Sequence, residues 1–361
     1  MDVLRVFTMK TIKNHILTSE QLSYITKVER FQGAFEATKF QRPALIDGLK
    51  KTTIITSSGS STRIEGAILT DAQVEELMEK GCQITRVSSR SEREVAGHIK
   101  ALTYIYDNYE KLPITEKNIR ELHDLLTSEL TEDQLPKKQR GAYKDVTNDV
   151  IEKNLMTGET KIWFQTTPPG PETATAMEEL ISSYNQIIEN EECHPITMIT
   201  GFIIHFLAIH PFRDGNGRLS RLLTSLLLLR HGYKWSQYVS HEKIIEDNKE
   251  GYYIALRDTQ SSFKSDKPNY DKWADFFLKI VTAQTEILQS KIIQESPISI
   301  MNENEKLIYK IIETNGKCKI AFLLEQTDMT RPGLKSLLKR LVENGVLKKE
   351  GQGKGTYYFA P

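Results

Sequence analysis

The stretch His210-Pro-Phe-Arg-Asp-Gly-Asn-Gly-Arg-Leu-Ser-Arg221 lies between two largely apolar runs, 196–209 ahead of it and 219–229 behind it. Each run reads as a buried helix, and a tight turn must join them, which makes a mostly α-helical fold. Pro211 disfavours helical backbone at the residue before it, so the first helix is predicted to stop with His210 extended. Arg213-Asp-Gly-Asn-Gly217 is the turn, because Gly and Asn tolerate the positive φ that tight turns need.

That joint carries chemistry. A Gly-rich turn feeding a helix N-terminus aims several backbone N–H groups at one point, which makes an anion site. Arg218 and Arg221 are three residues apart and share a face of the first helical turn. Two guanidiniums beside such a nest ask for more than one phosphate. Asp214 would repel phosphate unless a Mg²⁺ bridged the two, and Mg²⁺ commonly takes one or two carboxylates with substrate oxygens. His210 is the group of this stretch that can accept a proton near neutral pH. The combination reads as a base, a metal carboxylate and a polyphosphate cradle, suited to transfer from a nucleoside triphosphate to an acceptor hydroxyl.

These twelve residues resemble the signature of the Fic family, His-Pro-Phe-x-Asp/Glu-Gly-Asn-Gly-Arg-x-x-Arg, at every specified position. The resemblance covers roughly residues 45–285 and implies transfer of AMP from ATP to a Ser, Thr or Tyr hydroxyl of a protein, with release of pyrophosphate. His210 would then be the catalytic base and Asp214 the Mg²⁺ ligand. Gly215, Asn216 and Gly217 would line the anion hole, Arg218 would hold the β-phosphate and Arg221 the γ-phosphate, with Phe212 an apolar anchor beneath the loop. Upstream, Ser61-Thr-Arg-Ile-Glu-Gly66 resembles the inhibitory Ser/Thr-x-x-x-Glu-Gly/Asn motif of many Fic proteins. By that resemblance Glu65 pairs with Arg221 and excludes the γ-phosphate, while Ser61, one turn earlier, hydrogen-bonds within the motif. Asn248-Lys-Glu-Gly-Tyr-Tyr-Ile-Ala-Leu256 resembles the stretch that forms the nucleotide base pocket, with Asn248 and Tyr252 as its contacts; a helix with Tyr252 or Tyr253 in the core fits the same residues. Asp149–Ile151 and Lys161–Phe164, around a turn at Thr157-Gly158, read as a β-hairpin, which in Fic proteins forms the flap that holds a target segment by strand pairing.

The remaining chain supplies boundaries. Thr18-Ser-Glu-Gln21 reads as a helix start, residues 42–58 as a helix entered at Pro43, and Thr70 as the cap of a helix over 71–80. Thr115 caps a helix containing Ile119, Leu122, Leu125 and Leu126, and His98 and His123 in these helices suit packing or surface roles. The domains expected are an N-terminal helical region with the inhibitory helix (1–90), the Fic core (91–285), a linker (286–300) and a C-terminal unit (301–361). That last unit has three helices and a terminal hairpin around Gly351–Gly355, which resembles a winged-helix domain. It holds 11 Lys and Arg against 7 Asp and Glu, a net of +4. Arg331, Lys335, Lys339, Arg340 and Lys354 make a modest basic surface suited to DNA phosphates, or the unit docks a protein.

Forty-eight basic and 48 acidic residues balance, so bulk charge selects no partner. Cys82, Cys193 and Cys318 are far apart and odd in number, which fits neither a zinc site nor a disulfide framework and suits a reducing cytoplasm. No apolar stretch is long enough to span a bilayer, so no membrane partner is expected. The expected partners are a target protein with an acceptor hydroxyl, the chain itself and a second copy of it as a homodimer, and DNA or protein at the winged helix. Two other functions fit the same residues: a nucleotide-regulated DNA-binding transcription factor, and removal of AMP from a modified target with Glu65 positioning water.

Overall fold

The computed structural model describes residues 15, 17–38, 43–153, 160–263, 265, 268–294 and 301–360, without the side chains of 37, 38, 43–47, 151–153, 160, 161, 293, 294 and 354. The hairpin turn at Thr157-Gly158 and the linker residues 295–300 lie outside the described residues. The chain forms two compact units, Met1–Ile287 and Leu288–Pro361.

The helices of the first unit are α1 (Ser19–Thr38), α2 (Pro43–Ile64), α3 (Asp71–Glu79), α4 (Arg90–Asn108), α5 (Glu116–Thr127), α6 (Pro171–Glu189), α7 (Pro195–Ile209), α8 (Asn216–Arg230), α9 (His241–Asp247), α10 (Lys249–Ser262) and α11 (Asp271–Gln294), whose residues from 288 on belong to the second unit. The last of these covers residues 286–294 as well, matching the helical reading of Lys272 to Ile293. Caps mark several of the starts. Thr18 and Gln21 exchange side-chain and backbone bonds ahead of α1, Thr70 with Gln73 and Ser89 with Glu92 form capping boxes, and the Thr115 side chain caps α5.

Helices α7 and α8 are the centre. Ile196 to Ile209 are all buried, as are Leu219 to Leu229. A helix apolar on every side has to be enclosed by others. Phe202, Phe206 and Phe212 are 0% exposed, and each would cost roughly 3–5 kcal/mol to truncate to Ala. The turn between these two helices is thus fixed at both ends by packed core.

Helix α2 extends six residues beyond the expected end. Its second half, Ser57-Ser-Gly-Ser-Ser-Thr62, is poor in helix formers, since Ser and Thr compete for the backbone and Gly costs entropy. Tertiary partners make the difference. Ser57 donates to Glu242 (2.7 Å), Ser60 to Glu246 (2.9 Å), and Arg63 pairs with Glu246 and Asp71. The helix ends in a Schellman pattern: Gly66 N–H reaches Arg63 O (3.1 Å), Ala67 N–H reaches Thr62 O (3.0 Å), and Gly66 takes φ 101°. Glu65 is consequently the last residue before the glycine stop.

A two-stranded antiparallel hairpin, β1 (Val150–Lys153) with β2 (Thr160–Phe164), projects from the helices. Ile162 and Trp163 of β2 are 52% and 41% exposed, and the Arg257 guanidinium lies 5.3 Å over the Trp163 ring.

The second unit comprises α12 (Glu303–Asn315), β3 (Cys318–Lys319), α13 (Ile320–Glu325), α14 (Arg331–Glu343), β4 (Lys348–Glu350) and β5 (Tyr357–Phe359). The sheet order is β3-β5-β4, antiparallel throughout. Two strands were expected; Cys318-Lys319 is a third, too short to show alternation. Ile308, Ile312, Leu323, Leu334, Leu338, Leu341 and Leu347 form its core.

Candidate active site

The α7–α8 turn floors a cleft of about 670 Å³, within the usual range for a small-molecule site. Its lining includes Glu65, Arg90, Glu94, His210, Asp214, Gly215–Arg218, Tyr252, Tyr253 and Arg257.

His210 follows α7 in the left-handed region, φ 52° and ψ 58°. It is not extended, contrary to the expectation from Pro211. The preference against α before proline leaves αL open here because three donor groups of two neighbours, Lys144 and Asn148, hold the carbonyls. Lys144 Nζ donates to Ile209 O (3.1 Å), and Asn148 Nδ2 donates to His210 O (3.1 Å) and Phe212 O (2.7 Å). Lys144 N–H takes Pro211 O (2.8 Å). Strain of this kind concentrates where surrounding structure over-determines it.

The imidazole of His210 is oriented by its own helix: Nδ1 lies 3.2 Å from Leu207 O. A carbonyl only accepts, so Nδ1 carries the proton and Nε2 is the free base. Burial pushes this imidazole down to about 4, which keeps it neutral at physiological pH.

Asp214 folds back into the turn. Gly215 N–H donates to Oδ1 (2.6 Å), Arg218 Nη2 lies 3.1 Å from Oδ1, and Arg90 Nη2 lies 2.7 Å from Oδ2. Burial works against ionisation, but Arg218 and Arg90 outweigh it and hold the carboxyl below its ordinary value.

Gly215 takes φ 81° as the cap of α8. Asn216 spends its side chain internally: Oδ1 accepts from Phe212 N–H (2.9 Å) and Nδ2 donates to Phe212 O (2.6 Å). The anion site expected of Gly215, Asn216 and Gly217 is therefore left to their backbone. Both arginines are buried. Arg218 Nη1 sits 3.2 Å from Glu94 Oε1 without hydrogen-bond alignment, and Arg218 Nε and Nη1 and Arg221 Nη1 have no hydrogen-bond partner among the described residues. Orphaned buried N–H groups are costly, and phosphate oxygens would satisfy them.

Glu65 occupies that anion nest. Its Oε1 lies 2.8 Å from Arg221 Nη2, and a Cβ placed on Gly217 would collide with its carboxylate. Ser61 does not bond within its own motif as expected. Its Oγ accepts from Arg221 Nε (2.9 Å), and its carbonyl accepts from Arg221 Nη2 (2.8 Å).

The two base-pocket candidates separate. Tyr252 lines the cleft at 3% exposure, packed against Trp273 and Phe276. Asn248 sits at the α9–α10 junction with its side chain folded over Gly251, outside the residues that line the cleft.

Three residues of the site gave no usable signal in sequence. His123, assigned to packing or the surface, is buried beneath the loop. It accepts from Gly141 N–H at Nδ1 (2.9 Å), so its Nε2–H donates to Asp214 O (2.9 Å), and its ring stacks on Phe212 at 3.9 Å. Lys144 is 1% exposed, and burial pulls it down to about 8. Glu94 joins Arg90 (2.9 Å) and Arg218.

Among the described residues no three His, Cys, Asp or Glu side chains converge on one point. The chain thus builds no cage of its own for a cation. A Mg²⁺ that takes Asp214 and completes its shell with phosphate oxygens and water does fit this set.

Residues 113–228 match the Fic/DOC family. Over that segment the chain is similar to a Fic domain. Protein adenylyltransferase Fic of Drosophila persimilis is 28% identical over 174 residues, 48% of this chain and 31% of that protein. The match therefore spans about a third of the length of such relatives. A Fic family protein from Desulfovibrio desulfuricans G20 shares the fold, with a TM-score of 0.61 at 19% identity over 96% of this chain and 97% of that one. So does a Fic domain containing signaling protein from Bacteroides thetaiotaomicron, with a TM-score of 0.61 at 22% identity over 75% and 98%. The matched segment runs from just ahead of α5 through most of α8, so it takes in His123, Lys144, Asn148 and the whole loop; Glu65, Arg90 and Glu94 precede it. No described helix is long and apolar enough to cross a membrane.

Burial has a cost that pH exposes. His98 is pushed down to about 3, and His123, His205, His210 and His231 each to about 4. Unfolded, each binds a proton near 6.5. Between those values only the unfolded chain is protonated, so the stabilisation is complete above 6.5 and is lost as pH falls towards 4. At pH 5 the expected loss is on the order of 1–2 kcal/mol per histidine. Urea midpoints measured at pH 7.5 and pH 5 check it; equal midpoints would contradict neutral burial.

Proposed function

We propose that this chain transfers AMP from ATP to a Ser, Thr or Tyr hydroxyl of a protein, and that Glu65 holds it in a low-activity state. One observation carries the reading: the Glu65 carboxylate lies on Arg221 and over Gly217, where a phosphate of a bound nucleotide would sit. The orphaned N–H groups of Arg218 and Arg221 support it, since they suit a polyphosphate.

In the transfer, His210 Nε2 takes the proton of the attacking hydroxyl, which is why Nδ1 must stay bonded to Leu207 O. The hydroxyl oxygen forms a bond to the α-phosphorus, and the bond to pyrophosphate breaks. The backbone of Gly215–Gly217 and the Arg218 guanidinium steady the phosphates, and the Arg221 guanidinium takes the terminal phosphate once Glu65 leaves. Asp214 would hold a Mg²⁺, which when bound neutralises phosphate charge. Positioning and charge compensation dominate such transfers, so little covalent work falls to the protein. The β1–β2 hairpin, with Ile162 and Trp163 exposed, is a suitable edge for an extended target segment. The test is mass spectrometry of lysate proteins after incubation with ATP and the Glu65→Gly variant. New phosphoadenosine adducts on hydroxyl residues are expected; their absence would count against the activity.

A second reading concerns the Leu288–Pro361 unit. Its order of three helices and a three-stranded sheet resembles a winged helix, and α14 is its DNA-facing candidate. The basic surface is smaller than the sequence suggested. Arg340 is tied to Glu305 (2.7 Å) and Lys339 to Glu343 (3.7 Å), and the Lys354 side chain lies outside the described residues. Arg331 and Lys335 are exposed and without an ion pair among the described residues. Duplex DNA binding should therefore be weak and steeply salt-dependent, and Arg331→Ala/Lys335→Ala should lower the slope of log K against log salt by about 2. A mobility shift with the full chain checks this; no complex at low salt would leave protein docking as the role.

A further inference from the structure

Arg90 is the first residue of α4 and stands on the cleft rim, 51% exposed. It makes two charged contacts: Nε with Glu94 Oε1 at 2.9 Å and Nη2 with Asp214 Oδ2 at 2.7 Å. The two oxygens of Asp214 are held differently. Oδ1 belongs to the loop itself, through Gly215 N–H and Arg218 Nη2. Oδ2 is held by Arg90, a residue from a different element and outside the loop. Glu94 is 10% exposed, and its Oε1 faces both Arg90 and Arg218, so it anchors Arg90 whether or not Asp214 is engaged.

A guanidinium and a divalent cation want the same electron pairs on Oδ2, and two positive charges there would repel. We infer that Arg90 stands in for the cation at Asp214. Without a cation it neutralises the carboxylate, so that a polyphosphate meets no bare negative charge in the cleft. When a cation arrives with the nucleotide, Nη2 leaves Oδ2 while Nε stays on Glu94, and the guanidinium remains parked on the rim. This inference rests on the nucleotide-and-cation reading of the cleft. It predicts that ATP binding by this chain depends little on Mg²⁺, and that Arg90 is the reason.

Calorimetric titration of the full chain with ATP, in excess EDTA and in Mg²⁺, tests it. Arg90→Ala should weaken ATP binding in EDTA about fivefold, the scale of one half-exposed ion pair, and leave binding in Mg²⁺ nearly unchanged. The stimulation by Mg²⁺ then rises about fivefold over wild type. In an Asp214→Asn background, where the charge to be neutralised is gone, Arg90→Ala should have no effect in EDTA, which closes the double-mutant cycle. Because Arg90 is half exposed, its truncation leaves the fold in place. Equal Mg²⁺ stimulation in wild type and Arg90→Ala would overturn the role of Arg90 alone. A Glu65→Gly chain that binds ATP in neither buffer would overturn the nucleotide reading together with it.

Discussion

AMP incorporation by a Glu65→Gly protein should fall by ~10²–10⁴-fold or more when His210 is also changed to Ala, with ATP affinity almost unchanged. Among the described residues the imidazole hydrogen-bonds through Nδ1 to Leu207 O, and not to the backbone of Gly215–Gly217 or to either arginine. Removing it takes away the proton acceptor for the incoming hydroxyl and leaves the nest intact. The loop should keep its shape, because Lys144 and Asn148 hold the carbonyls of Ile209, His210 and Phe212 independently of the ring. Incorporation rates and ATP titrations on the same pair of proteins check both halves. A rate within threefold of the parent would remove His210 from the mechanism.

The second large effect is release. Glu65→Gly alone should raise AMP incorporation by on the order of 10²-fold, the scale of correcting a misplacement of about 1 Å at the reacting atom. The carboxylate sits on Arg221 and against Gly217, so a terminal phosphate and Glu65 cannot share the site. Arg221→Ala added to Glu65→Gly should return the rate to the low level, since the freed guanidinium is what the phosphate gains. The stability cost of Glu65→Gly should be below the ~3–5 kcal/mol of breaking a buried pair. Glu65 is 37% exposed, and Ser61 keeps two bonds to Arg221. For the same reason Ser61→Ala removes only one of several contacts and should activate weakly. A Glu65→Gly rate no higher than wild type would leave 61–66 as an ordinary helix end.

The helices around the loop were legible because their apolar residues recur at helical spacing and their caps are local. The end of α2 was not. Ser57–Thr62 has the composition of a loop, and partners from elsewhere in the chain, Glu242, Glu246, His98 and Arg221 among them, hold it helical. The signature loop named His210, Asp214, Arg218 and Arg221 because charged and glycine residues crowd into twelve positions. Their supports were invisible. Lys144, Asn148 and His123 act by hydrogen-bonding backbone carbonyls 60 to 90 positions away, and no local spacing records such a partner. His210 in αL is the same lesson: the local rule before proline favours extended backbone, and three distant donors overrule it.

One measurement bears most directly on the transfer itself. Glu65→Gly protein is incubated with lysate and ATP labelled at the α-phosphate in one sample and at the γ-phosphate in another. AMP transfer places α-label on protein and releases the γ-label as pyrophosphate. Label from the γ-phosphate on protein, or no α-label on any protein while ATP is bound, would contradict it.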